Sequence, residues 1–170
     1  LKSRIKTADD GLLVALSKPK LKGGPIDQGY RTGTQEEWLV PCPHCGHRQC
    51  LRFEQLRWER SETGSRPETA AYVCESCETP IAEHHKTWML GQGQWRSVLE
   101  LAEGEVPVVR KTAGFHLSSL YSPIGWRSWA DIAMARESAI SKETGSVAAI
   151  KTFKNTELGE TWVEEGEAPD

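Results

Sequence analysis

The chain has 170 residues, of which 38% are hydrophobic, and a formal net charge of −3. That balance lacks the strongly basic footprint of an autonomous nucleic-acid-binding domain. No apolar run approaches the roughly 18 residues of a membrane-crossing helix, and the first residues carry no apolar core of signal-peptide type.

Residues 12–16, LLVAL, form a short apolar run between Gly11 and Pro19. Its composition predicts a strand buried on both faces. No partner strand flanks it, and the chain starts at Leu1 rather than Met, so a piece of a longer protein is expected. The Gly-, Pro- and Lys-rich stretch 17–38 reads as a linker, with one helical turn at Pro25–Tyr30. In an extended chain Lys18, Lys20 and Lys22 point to one side. They are candidate DNA-phosphate contacts, with a solvated loop as the alternative.

Residues 38–58 alternate around a first CxxC and predict a hairpin. Arg48, Arg52 and Arg57, with Trp58, are candidates for a small DNA-facing patch on it or for plain surface charge. Residues 59–69 read as a polar loop, Ala71–Val73 as a strand into a second CxxC, and Pro80–Ile81 as its exit. A short helix is expected at His84–Met89, ended by Gly91 and Gly93. Residues 97–112 read as an irregular connection. Ser128 followed by Asp131 predicts a capping box. The 3.6-residue apolar spacing then predicts a helix over 129–141 and a second over 146–155, with Val147, Ile150 and Phe153 inward.

Five cysteines are present, and four of them form the pairs Cys42/Cys45 and Cys74/Cys77. Zinc takes four tetrahedral thiolates readily, and two intervening residues let both sulfurs of a pair face one ion from a tight turn. Pro43 favours that turn and Gly46 permits a left-handed residue after the second ligand. The 28 residues between the pairs suit a zinc ribbon, a hairpin with two knuckles. Cys50, His44 and His47 are alternative ligands nearby. A redox role would need a βαβ setting that the sequence lacks. Four thiolates also leave no open coordination position, so the expected role of the ion is structural.

With the knuckles placed, residues 30–46, YRTGTQEEWLVPCPHCG, resemble a stretch of the lambda-type phage terminase large subunits. GFHLSSLYSP at 114–123, Trp126–Ile132 and KTFKNTELGETWVEEGE at 151–167 are similar to that family's run into its nuclease domain. The resemblance implies a fragment of an ATP-driven DNA-packaging motor and endonuclease. Residues 1–24 would end the ATPase core, 25–37 link, 38–95 form the zinc ribbon, and 96–170 lead helically to the nuclease. The expected fold is small, irregular α+β: a zinc ribbon, a C-terminal two-helix unit and a remnant strand of an α/β ATPase sheet. Ser17 and Pro19 fall where the family couples ATP hydrolysis to movement, although Lys18 replaces the usual small hydroxyl residue. The resemblance further implies double-stranded viral DNA, a terminase small subunit and a portal protein as partners, an oligomeric motor, and action in the host cytoplasm without membrane contact.

ATP and Mg are implied for the parent only. No GxxxxGK[ST] phosphate loop occurs, and no strand acids suit a two-metal nuclease. Glu164, Glu165 and Glu167 sit on a polar tail and are expected to be solvated. His116 is expected to be buried and hydrogen-bonded. The fragment alone is therefore expected to be non-catalytic. The alternative reading is a stand-alone zinc-ribbon module that binds nucleic acid or protein.

Overall fold

The computed structural model describes residues 11–62, 64–99 and 110–163. Glu164, Glu165, Glu167 and most of the expected irregular connection lie outside them. Among the described residues there are two sheets and four α-helices.

Helix α1, Pro25–Thr32, starts on a proline, whose fixed φ suits a first helical position. It leads into β1, Glu36–Pro41, the spine of the first sheet. β1 pairs antiparallel with β2, Arg48–Cys50, through Leu39–Cys50, Val40–Gln49 and Pro41–Arg48. On its other side it pairs antiparallel with β6, Gln94–Ser97, where Trp38 faces Trp95. It also pairs in parallel with β7, Phe115–His116, through Glu36–Phe115 and Glu37–His116.

The expected hairpin over 38–58 stops at Cys50. Beyond it two tyrosine hydroxyls take the place of a strand partner. Leu51 N–H donates to Tyr121 Oη at 2.7 Å and Arg52 N–H to Tyr72 Oη at 3.0 Å. The chain then turns through Phe53–Gln55 into the second sheet.

That sheet has the order β3, Leu56–Ser61, then β4, Gly64–Val73, then β5, Pro80–Ile81. The expected polar loop at 59–69 is thus the end of a two-stranded ribbon. Its polarity reflects solvent on the ribbon and ion pairs on it. Arg66 bridges Glu59 across the strands at 2.7 Å and Glu68 along its own strand at 3.0 Å.

The turn Glu83–His85 and helix α2, Lys86–Gly91, return the chain to the first sheet. Gly93 has no room for a Cβ, because the Trp38 indole lies directly against it. Helix α3, Trp129–Ile140, carries the expected capping box. Asp131 N–H donates to Ser128 Oγ at 3.0 Å and Ser128 N–H to Asp131 Oδ2 at 2.8 Å. Trp129, Ile132 and Ala133 are fully buried, and Trp129 packs on Tyr72 at 5.8 Å between ring centroids. Helix α4, Val147–Phe153, widens into a π turn at Lys154–Leu158. Phe153 is buried against Phe53, but Val147, expected inward, is exposed at the first helical position.

The run Leu12–Leu16 is the main departure. It is exposed and makes no strand, with Leu12 84% and Leu16 91% accessible. A strand buried on both faces needs ladder partners, and none of the described residues supplies one. The first fixed point of this segment is Leu21, which bridges in parallel to Trp162.

Candidate metal centre and a surface cleft

Each CxxC closes a knuckle by the same set of bonds. In the first, Cys42 N–H donates to His47 O at 2.8 Å and Gly46 N–H to Cys42 O at 2.9 Å. In the second, Cys74 N–H donates to Thr79 O at 3.2 Å and Glu78 N–H to Cys74 O at 3.0 Å. A further N–H points at the first sulfur of each pair, His44 to Cys42 Sγ and Ser76 to Cys74 Sγ, both at 3.4 Å. Such donors favour the thiolate form. Both knuckles turn through a left-handed residue, Gly46 at φ +76° and Glu78 at φ +57°.

The two knuckles face each other. Cys42 Sγ lies 3.9 Å from Cys77 Sγ, and Cys45 Sγ lies 3.8 Å from Cys74 Sγ. All four sulfurs fall within 4.8 Å of one another. Sulfurs about 2.3 Å from a central ion at tetrahedral angles would stand about 3.8 Å apart. The cluster therefore fits one four-thiolate ion. Burial pushes the Cys42 thiol up to about 12, whereas hydrogen bonding by Thr79 pulls Cys77 down to about 6. A metal must displace the Cys42 proton, so its affinity falls as pH falls.

Cys50, His44 and His47 stand outside this cluster. His47 Nε2 meets Glu75 Oε1 at 2.9 Å and so clasps one knuckle to the other. His44 packs edge-on to His85. Gln49, which the sequence did not single out, is buried, and its Oε1 accepts the Glu75 N–H at 2.9 Å. Its position in β2, facing inward beside the first knuckle, is the only sequence signal it leaves.

The arginines predicted as one patch are divided. Arg52 pairs with Glu37 at 2.9 Å, and Arg48 donates to Gln92 O at 2.9 Å. Arg57 stands on the other sheet and donates to Glu54 O and Leu56 O. His116 is half-buried, with Nε2 3.1 Å from Leu158 O, in keeping with the expected hydrogen-bonded histidine.

A second feature was not legible in the sequence. Ser17 and Pro19 rim a cleft of about 430 Å³ whose far walls include Tyr30, Glu37, Arg52, His116 and Glu160. The candidate coupling residues thus meet the 158–161 turn across open space. Lys18 and the two other lysines lie on this same exposed segment, and Lys20 and Lys22 are bound to Trp162 through their backbones.

What the fold and site define is a small α+β segment with two sheets and a four-cysteine cluster that could hold a metal ion. The four cysteines bring a knuckle of each sheet together, and the C-terminal stretch is built into the first sheet through β7. Residues 1–95 match the family profile described as phage terminase large subunit gpA, ATPase domain, and residues 112–170 match that of the terminase large subunit gpA endonuclease domain. The chain is 32% identical over 166 residues to the large terminase subunit of Enterobacteria phage P21, covering 87% of this chain and 24% of that protein. It is 31% identical over 151 residues to that of Escherichia phage lambda, covering 77% and 21%. No solved structure matches. The chain belongs to the phage terminase large subunit gpA family, and spans about a quarter of the length of these relatives.

Proposed function

We infer that this segment is the zinc-stabilised connector of a terminase large subunit, holding ATPase and endonuclease in fixed relation. The observation that carries this reading is the pairing of β1 with β7. It places Glu36–Glu37, in the ATPase-matching stretch, in one sheet with Phe115–His116, in the nuclease-matching stretch. Cys42, Cys45, Cys74 and Cys77 would hold the zinc as a zinc ribbon. The ion would supply folding energy, of order 10 kcal/mol for such sites, and no chemistry.

In this reading residues 1–24, 25–37, 38–95 and 96–170 are the ATPase end, the linker, the ribbon and the helical lead into the nuclease. ATP and Mg belong to the rest of the protein, which packages double-stranded viral DNA with a small subunit and a portal, as an oligomer in the host cytoplasm. Ser17 and Pro19 serve in coupling. Lys18, Lys20, Lys22, Arg48 and Arg57 are DNA contacts, with Arg52 weakened by its pairing to Glu37.

The test is elemental analysis of chain purified without added metal, followed by a chelator melt. About one zinc per chain, with folding lost on chelation, is expected. A metal-free chain with an unchanged melt overturns the ribbon. ATP hydrolysis or DNA cleavage by the clean fragment overturns the connector role.

A further inference from the structure

The segment 11–22 is held to the body in an unusual way. Residues 11–18 are exposed, and Leu21 remains 41% accessible, so little apolar burial retains the segment. Hydrogen bonds do the holding. Trp162 N–H donates to Lys20 O at 3.0 Å, and Lys22 N–H donates to Trp162 O at 3.2 Å. Asn155 Nδ2 donates to Lys20 O at 3.0 Å and to Glu160 O at 2.7 Å. One buried amide therefore grips both the strap and the turn that the strap lies against. Gly159, left-handed at φ +65°, brings that turn into reach, and a Cβ there would stand 3.0 Å from His116 Nε2.

Beneath the strap lies the cleft of about 430 Å³, so Ser17 and Pro19 span space rather than core. A segment fixed by a few hydrogen bonds over open volume is the kind that opens locally while the rest stays folded. The strap lies in the ATPase-matching stretch and Asn155 in the nuclease-matching one.

We propose that Asn155 is a latch that closes the strap 17–22 over this cleft, and that its release lets the strap lift while the knuckles and core stay intact. This rests on the connector reading above and adds a moving part to it. The latch is a positioning device, because the Asn155 amide donates to two backbone carbonyls.

The test is hydrogen exchange on the whole chain in its metal-loaded form. Asn155→Ala removes both donors, and a buried bond lost at about 1–3 kcal/mol predicts about fivefold or faster exchange at the Lys22 and Trp162 amides. The Gly46 and Glu78 amides in the knuckles keep their protection.

A second variant keeps the idea testable if Asn155→Ala fails to fold. Gly24 N–H donates to Leu21 O at 3.1 Å, and Gly23 follows Lys22 with φ +78°, so Lys22 occupies the second position of a type II turn. That position accepts proline. Lys22→Pro therefore removes one strap bond at a turn position that suits proline and should speed exchange at Trp162.

Unchanged exchange at Lys22 and Trp162, or a uniform rise that includes the knuckles, overturns the latch. In a full-length terminase carrying this segment, Asn155→Ala should leave ATP hydrolysis and DNA cleavage at their separate rates and lower DNA packaging. Unimpaired packaging with a demonstrably open strap overturns the part of the latch in packaging. The connector reading would still stand on metal content and sheet pairing.

Discussion

Tyr121 offers a direct test of how firmly the nuclease-matching stretch is built into the rest. Its hydroxyl donates to Trp38 O at 2.8 Å and accepts the Leu51 N–H at 2.7 Å, so one phenol bonds β1 to the segment following β2. Tyr121→Phe keeps the ring and deletes both bonds. Leu51 is buried, so its N–H is left without a partner, as is one lone pair of Trp38 O. An orphaned buried group costs about 1–3 kcal/mol, which puts the loss at about 2–4 kcal/mol. For a chain of this size that is about 4–16 °C in Tm.

The same residue carries a pH signature. Burial raises the Tyr121 and Tyr72 phenols above the ordinary value. The folded state therefore holds these protons more tightly than the unfolded one. Their contribution is fully present below about pH 10 and is lost as pH rises through the folded values. Denaturant melts at pH 7 and at pH 9–11 should show Tyr121→Phe less stable at neutral pH and less sensitive to alkali. A variant within about 0.5 kcal/mol of wild type, the range of neutral surface changes, would sink the reasoning.

Cys74→Ser should reduce bound metal from about one ion per chain to a minor fraction, read by elemental analysis, and should melt well below the parent. Lys86 is fully buried, 2.6 Å from Glu83 Oε1, which also accepts the Trp129 N–H at 3.0 Å at the head of α3. Lys86→Met should cost about 3 kcal/mol by leaving the Glu83 carboxylate without its cation, and adding Glu83→Gln should recover much of it in a double-mutant cycle. Glu78→Gly places in the second knuckle the residue that the first already has. It should raise Tm slightly, because a left-handed non-glycine residue costs about 1–2 kcal/mol, partly offset by the entropy of glycine.

Local signals carried far in this chain. The capping box at Ser128 and Asp131, the CxxC turns and the start of α1 on a proline each depend on a few neighbouring residues. The four-cysteine cluster was legible because ligand chemistry forces a spacing. What failed was long-range. The hairpin beyond Cys50 is broken by hydroxyls of Tyr72 and Tyr121, which lie 20 and 70 residues from their partners. The charged ribbon at 59–69 has no apolar face to reveal a strand. The run at 12–16 has strand composition, but composition does not supply a partner. The cleft has no signature at all, since its walls come from four separate stretches of the chain.

The position of the cysteine cluster follows from the same division of labour. The first knuckle follows β1 and leads into β2 in one sheet, and the second joins β4 to β5 in the other. β5 has two residues and β2 three, too few to hold two sheets together by their own ladders. A four-thiolate ion would fix the two knuckles to each other with little buried surface. The residues that complete the core between the sheets, Leu120, Trp129 and Ile132, come from the nuclease-matching stretch. Removing the metal should therefore loosen the seam between the sheets first. Removing the aromatic contact of Trp129 with Tyr72 should loosen the hold of the C-terminal helices while the knuckles still bind their ion. These two failures are separable by metal content and by hydrogen exchange, and their order distinguishes a connector built in two steps from one cooperative domain.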